Sequence, residues 1–292
     1  MAETEATAAP IHGDKLYQKR ARRALPLLVR QAEAKNTILY SDLAEELDMP
    51  NPRNLNYVLG SIGQSLQELT DEWGMEIPPI QCIVINKNDG LPGEGIGWFL
   101  NKDSYSGVVP QDFGQLPKVR QREIVQAELQ KIYLYPDWRA VLERLSLKPA
   151  ATDFSGFLTA ARNFGGGESD AHKRLKEHVA ENPDSIGLSA KSPKGELEYR
   201  LPSGDALDVS FLLQEQWVAA EVKSQISDER DLVRGLFQCV KYSAVMAANL
   251  LAEGRKRPVK AVLVLEGRLP HSLIPLRNIL GVTVYENVRP YA

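Results

Sequence analysis

The stretch from Trp217 to Leu265 constrains the fold more than any other part of the chain. Two strand-like runs, Trp217 to Ser224 and the nearly all-apolar Val259 to Leu265, flank a long helical pattern, Asp231 to Ala252. A strand, a helix and a second strand in that order close as a right-handed crossover. At least part of one sheet must therefore be parallel.

The pattern extends on both sides of this unit. A helix is predicted from Glu168 to Glu181, a strand from Glu196 to Arg200, a tight turn at Ser203-Gly204 and a strand from Ala206 to Leu213. Beyond the crossover, Ile274 to Leu280 reads as a short helix that tolerates Pro275 in its first turn. A final strand follows, Val282 to Tyr285. The order α-β-β-β-α-β-α-β predicts an α/β domain with a mixed sheet flanked by helices.

The first half has a different texture. A chain of 292 residues has room for two domains at about 100–200 residues each. Residues 1–14 read as a disordered lead and 15–146 as a mainly helical domain. Residues 147–167 read as a linker, marked by Lys148-Pro149-Ala150-Ala151 and Gly165-Gly166-Gly167, and 168–292 as the α/β domain. Within the helical part, Lys15 to Ala34 is a basic helix in which Pro26 predicts a break or kink. Tyr40 to Leu47 is a short helix with Ser41 as candidate cap, and Asn54 to Trp73 a longer amphipathic one. Ile80 to Ile85 is expected to be a strand, followed by a turn at Asn88-Asp89-Gly90 and the glycine-rich run Leu91 to Gly97. Pro117 to Leu145 is helical, interrupted at Pro136.

With 43% apolar and 25% charged residues, the composition is that of an ordinary globular chain. The formal net charge of -3 gives no global basic field. Nucleic acid is not thereby excluded, because the local field in a groove is what an anion meets. Cys82 and Cys239 lie far apart without a Cys or His at zinc spacing, so buried free thiols are expected. The N-terminus lacks a signal pattern, and no apolar run nears the roughly 20 residues of a spanning helix. A soluble, cytoplasmic chain with no membrane partner is expected.

Strand alternation places the chemistry. Trp217, Ala219, Glu221 and Lys223 share one face of their strand. On the preceding strand Asp208 and Ser210 lie opposite Leu207, Val209 and Phe211. A hairpin across Leu213 to Gln216 would bring Asp208 to Glu221 on one surface. Two carboxylates and an ammonium on a mostly apolar sheet are costly: burying unpaired charge costs several kcal/mol, and the two carboxylates repel. A divalent cation removes that conflict, and Mg²⁺ prefers one or two carboxylates plus water and phosphate oxygens. Such an ion can polarise a phosphoryl group, and a lysine can orient water or stabilise developing charge. The bland alternative is an ordinary ion pair on a partly exposed sheet face. The similar text Glu33-Ala34-Lys35 lacks both the strand and the partner Asp.

The segments Leu201 to Val209 and Val218 to Ser224, carrying Asp208, Glu221 and Lys223, resemble the PD-(D/E)xK nuclease superfamily. Leu207 stands where the nominal proline would be. Gln238 and Tyr242, four apart on the following helix, look like the Gln-x-x-x-Tyr feature of its RecB-type members. The resemblance covers roughly Glu168 to the C-terminus and implies a restriction-endonuclease-like fold. It implies Mg²⁺-dependent DNA cleavage, with Mn²⁺ able to substitute. Asp208, Glu221, the Val222 carbonyl and a helix carboxylate, Glu168, would hold metal. Lys223 would act on the water or the transition state, supported by Gln238. Glu168 reads equally as a first-turn acid complementing the helix dipole. Asp205 competes weakly with Asp208 and fits a turn better; Glu198 is a lesser carboxylate candidate. Arg234, Lys241, Tyr242 and His172 are candidate DNA contacts, against the alternative of a solvated or packing role. The fold's usual employment suggests restriction or mobile-element defence, and many such nucleases act as homodimers.

In the first half, Tyr40 to Ala44, Asn54 to Gly63, the Pro78-Pro79 segment through Ile85, and Gly90 to Gly95 together resemble the winged-helix DNA-binding domain of alkylguanine alkyltransferases and alkyltransferase-like proteins. The family's Pro-Cys-His-Arg text is absent: Gln81 precedes Cys82 and Ile83 follows it, so alkyl transfer is disfavoured. The resemblance implies DNA binding through the helix opening at Asn54, with Arg53 near its start. Two alternatives stand beside an endonuclease: a non-catalytic DNA-binding protein on a degenerate nuclease fold, and a modified-base sensor. The basic clusters Lys15 to Arg23 and Arg255-Lys256-Arg257 are solvated faces or phosphate contacts.

Overall fold

The structure, a computed structural model, describes residues 7–100, 105, 110–151 and 169–290. The chain separates into two compact units, Met1–Thr152 and Asp153–Ala292. Of the expected linker, residues 152–167 lie outside the described ones.

Unit 1 is helical. Its elements are α1 (Leu16–Glu33), β1 (Ile38–Leu39), α2 (Tyr40–Glu46), α3 (Leu55–Trp73), β2 (Val84–Ile85), α4 (Lys118–Leu134) and α5 (Trp138–Arg144). Helix α3 follows a 3₁₀ turn over Pro52–Asn54 and buries Val58, Leu59, Ile62, Leu66 and Leu69. It ends at Gly74, whose φ of 64° is the left-handed conformation that glycine tolerates best. These side chains share one core with Leu25, Leu28 and Val29 of α1.

Three expectations for unit 1 need correction. Helix α1 runs unbroken through Pro26. The missing N–H and ring clash cost about 3 kcal/mol. Burying Leu25, Leu28 and Val29 alongside it recovers about 1.5–3 kcal/mol each, so packing wins. Of the expected disordered lead, residues 1–6 lie outside the described ones, but the rest is docked. Ile11 is fully buried, its amide donates to Ser65 Oγ at 2.8 Å, and its carbonyl accepts from Arg22. Finally, Ile80–Ile83 is a 3₁₀ turn and only Val84–Ile85 is strand, paired in parallel with Ile38–Leu39. All four residues of the turn are buried, which leaves no exposed face for strand alternation.

Unit 2 is an α/β layer structure. It contains α6 (Asp170–Glu181), β3 (Glu196–Arg200), β4 (Ala206–Leu212), β5 (Trp217–Lys223), α7 (Glu229–Ala252), β6 (Val259–Leu265), α8 (Ile274–Leu280) and β7 (Thr283–Tyr285). The strands form one mixed sheet in the order β3-β4-β5-β6-β7. β3-β4-β5 are antiparallel, whereas β5-β6 and β6-β7 are parallel. Asp228 caps α7 by accepting the Asp231 amide at 2.9 Å, satisfying a donor the first turn leaves open. The spacing of Leu232, Leu236, Cys239, Met246 and Leu250 then lays one stripe of α7 on Ala219, Ala261 and Leu263. The opposite face of the sheet, with Val218, Ala220 and Val222, packs on Leu175 and Val179 of α6.

Strand β5 is buried along its whole length, which is why it reads as apolar at every position but Glu221 and Lys223. Strict alternation fails on β4. Val209 and Phe211 pack on the α6 side, but Leu207 packs on the α7 side. The switch coincides with Glu198, which faces Asp208 by register and holds a φ of 53°.

Among the described residues, no helix is long and apolar enough to cross a membrane.

Candidate functional site

The β4–β5 ladder stops at Val209↔Ala220, one step short of Asp208 and Glu221. The two strands part there, and a side chain fills the gap: Asp208 Oδ2 accepts the Val222 amide at 2.9 Å. Glu221 and Lys223, two apart on β5, sit on one face, and Lys223 Nζ donates to Glu221 Oε1 at 2.7 Å. The imidazole of His172, from the first turn of α6, places Nε2 3.7 Å from Asp208 Oδ2. Ser169 holds that turn in place by accepting the His172 amide at 3.2 Å.

All four groups line one cleft of about 460 Å³, with Lys176, Glu198, Asp231, Arg234 and Gln238. Glycine at 235 helps to form it. A Cβ there would meet Leu263 Cδ1 at 2.8 Å and Lys223 Cε at 3.1 Å. The bare helix backbone therefore leaves room for the lysine stem.

The electrostatics of the trio are strained. Glu221 is 3% exposed. Burial, then the charge on Asp208, raise its pKa to about 7 despite the neighbouring Lys223. Among the described residues its buried Oε2 has no hydrogen-bond partner. Burial also works against charge on Asp208. The His172 imidazole, the Val222 N–H and the Lys223 charge outweigh it, and the Asp208 pKa falls below its ordinary value. For Lys223 burial again opposes charge, but Glu221 and Asp208 hold its pKa above the ordinary value.

The other expected site residues divide. Arg234 and Gln238 reach the cleft; Arg234 pairs with Asp231 at 3.2 Å. Gln238 Nε2 donates to Tyr242 Oη at 3.3 Å, and among the described residues its buried Oε1 has no partner. Tyr242 was expected at a DNA-contacting edge. It is instead buried, and its hydroxyl donates to the Ala206 carbonyl at 3.1 Å, tying α7 to β4. That face of α7 turns toward the sheet because Tyr242 continues the Leu232–Leu250 stripe. Lys241 stands outside the cleft lining and pairs with the turn residue Asp205. Glu168 lies outside the described residues. Among the described residues no three His, Cys, Asp or Glu side chains form a metal-binding group by themselves.

Lys176, Ser224, Ser227 and Asp231 are cleft residues that the sequence reading missed. For Lys176 a signal existed: it lies one helical turn beyond His172, on the same face.

Unit 1 has a cavity of its own, about 610 Å³, lined among others by Tyr40, Arg53, Asn56, Asp89, Glu94 and Lys118. Tyr40 Oη accepts the Gly93 amide at 3.1 Å, and Lys118 pairs with Asp89 at 2.8 Å. Arg53 therefore sits at a concave surface, while Asn54 is exposed at the start of α3 and outside that lining. Cys82 and Cys239 are both buried free thiols, and burial raises the pKa of each.

No protein-family model, curated protein or solved structure matches the chain.

Proposed function

We propose that unit 2 is a metal-dependent phosphodiesterase, a DNA endonuclease on a restriction-endonuclease-like fold. One observation carries the reading. Glu221 is a buried carboxylate beside a second carboxylate, with one oxygen on Lys223 and the other without a donor. An unpartnered buried acceptor costs about 1–3 kcal/mol, and this one has a like charge beside it and an open cleft in front of it, so that a bound cation would offset the cost. Hard oxygen donors of this kind fit Mg²⁺, and Mn²⁺ by the same chemistry.

Asp208 and Glu221 would hold the cation. In a strand the N–H and C=O of one residue face the same side. The Val222 carbonyl thus opens on the gap where its amide meets Asp208 and would be a third donor. The bound ion would supply Lewis-acid polarisation and a more acidic water. The chain's own residues supply the rest. His172 and the Val222 amide fix the Asp208 carboxylate. Lys223, held on Glu221, presents a fixed positive charge where negative charge grows on the phosphoryl oxygens. Gln238 anchors on Tyr242 and turns its carboxamide toward the cleft, and Arg234 is a candidate for the neighbouring phosphate.

Supercoiled plasmid incubated with the purified chain tests this reading. Nicking should require Mg²⁺ or Mn²⁺, stop with EDTA and disappear in Lys223→Ala. Equal nicking by wild type and Lys223→Ala would remove the enzyme claim.

The cavity beside Arg53 favours a second role for unit 1: a winged-helix-like reader of DNA that accommodates a modified base. Residues 1–146 should bind modified duplex more tightly than plain duplex. Binding to neither ends that part of the reading.

A further inference from the structure

We propose that Lys176 is a second phosphate-contacting cation of the cleft, held in reserve by Glu198 until a phosphodiester arrives. The inference rests on the phosphodiesterase reading and adds a residue to it.

Lys176 lies on α6, one turn beyond His172, and its side chain is 5% exposed. It nevertheless lines the cleft that holds Asp208, Glu221 and Lys223. A buried ammonium is tolerated only when paired. One of its partners, Glu198, is poorly suited to a purely structural pair. That carboxylate is 54% exposed, so water already solvates much of it. Its backbone sits at φ 53°, a conformation unfavourable for any residue with a Cβ. By the register Leu197↔Val209 and Tyr199↔Leu207 it lies beside Asp208.

These features describe an exchangeable partner. The lysine is fixed by its helix and its burial, whereas the acid has water as an alternative. Lys223, by contrast, is held on Glu221, a carboxylate that is buried and cannot turn to solvent. An incoming phosphodiester oxygen would replace the Glu198 carboxylate on Lys176 and leave Glu198 to solvent. No bond is made or broken in this exchange other than hydrogen bonds.

The test compares Lys176→Met with Glu198→Gln in the full chain. Duplex binding is followed by fluorescence anisotropy in Ca²⁺ across a salt series, with thermal melts to verify folding. Lys176→Met should weaken binding about tenfold and reduce the salt slope by about 0.9, the share of one phosphate contact. Lys176→Arg should restore both. Glu198→Gln should bind as tightly as wild type or tighter. Parallel weakening in Lys176→Met and Glu198→Gln would show a structural ion pair and overturn the proposal. So would weaker binding by Glu198→Gln alone, which decides the matter even if Lys176→Met fails to fold. Plasmid nicking by wild type separates the two claims. Opposite effects on binding without nicking sink only the hydrolase reading; nicking with parallel effects sinks only the role of Lys176. A wild-type chain that binds no duplex overturns both.

Discussion

Among the described residues, each unit contains a buried glutamate with a lysine on one oxygen and no partner on the other. In unit 1, Glu128 Oε1 accepts from Tyr105 Oη at 2.6 Å and Lys131 Nζ at 2.8 Å, and its Oε2 is buried without a partner. In unit 2, Glu221 Oε1 accepts from Lys223 Nζ at 2.7 Å, and its Oε2 is likewise orphaned. The surroundings differ. Glu128 has two donors on one oxygen, sits on helix α4 and is absent from the lining of the unit 1 cavity. Glu221 has one donor, a second carboxylate within electrostatic reach and an open cleft in front of it. An unpartnered buried oxygen is thus not a site by itself. It becomes one when a like charge and access for a cation are added.

The sharpest contrast is between matched substitutions. Glu221→Gln should reduce metal-dependent nicking by at least about 100-fold. Glu128→Gln should leave nicking unchanged and lower stability by about 1–3 kcal/mol, because Lys131 and Tyr105 lose a charged acceptor. Comparable nicking defects in the two variants would erase the distinction between the units.

Next in size is Gly235→Ala. Alanine favours a helix by about 1 kcal/mol over glycine, but its Cβ would press on Leu263 and Lys223. Nicking should fall roughly 10- to 100-fold, as expected for misplacing a catalytic group by a fraction of an ångström to 1 Å. Stability should change little. An unaltered rate would show that the position of Lys223 is not what the glycine protects.

A moderate effect is expected from pH in metal-free protein. The folded pKa of Glu221, about 7, lies above its ordinary value of 4.5. The stabilising contribution is therefore complete below 4.5 and lost as pH rises through 7. Asp208, shifted downward, loses its contribution only at acid pH and leaves this window clear. Melts in EDTA between pH 5 and 8 should show a decline in wild type that Glu221→Gln reduces. Identical profiles would place Glu221 in an unstrained environment.

The smallest effect belongs to Tyr242→Phe. Losing the bond to Ala206 should cost about 1 kcal/mol of stability. The salt dependence of DNA binding should stay as in wild type, since the hydroxyl faces the sheet. A lower salt slope would restore Tyr242 to the nucleic-acid surface.

Much of unit 2 was legible before any coordinates. Glu196–Arg200, Val259–Leu265 and Ile274–Leu280 fall where their patterns predict. These elements are bounded by glycine, proline or charge and have one environment per face. Where two physical effects compete, the reading fails. Pro26 forecasts a break or a kink, and the packed flanks of α1 override the break. Ile80–Ile83 has strand composition but forms a 3₁₀ turn, and burial alone does not account for it, since β5 is buried throughout and stays extended. The change of faces on β4 between Leu207 and Val209 is invisible to alternation, which puts Leu207 on the side of Val209 and Phe211. In the cleft, Asp208, Glu221 and Lys223 were visible because charge in an apolar strand is conspicuous. Lys176 shares a helix face with His172, but a lysine in a polar helix reads as solvated until the helix is seen to lie against the sheet.

Titration of Mn²⁺ into the metal-free chain, followed by loss of the free-ion electron paramagnetic resonance signal, tests the central claim most directly. Saturable binding should appear in wild type and vanish in Asp208→Asn and Glu221→Gln, with Glu128→Gln unchanged. Equal Mn²⁺ uptake by wild type and Glu221→Gln would contradict the account, because the carboxylate on which it depends would then hold no ion.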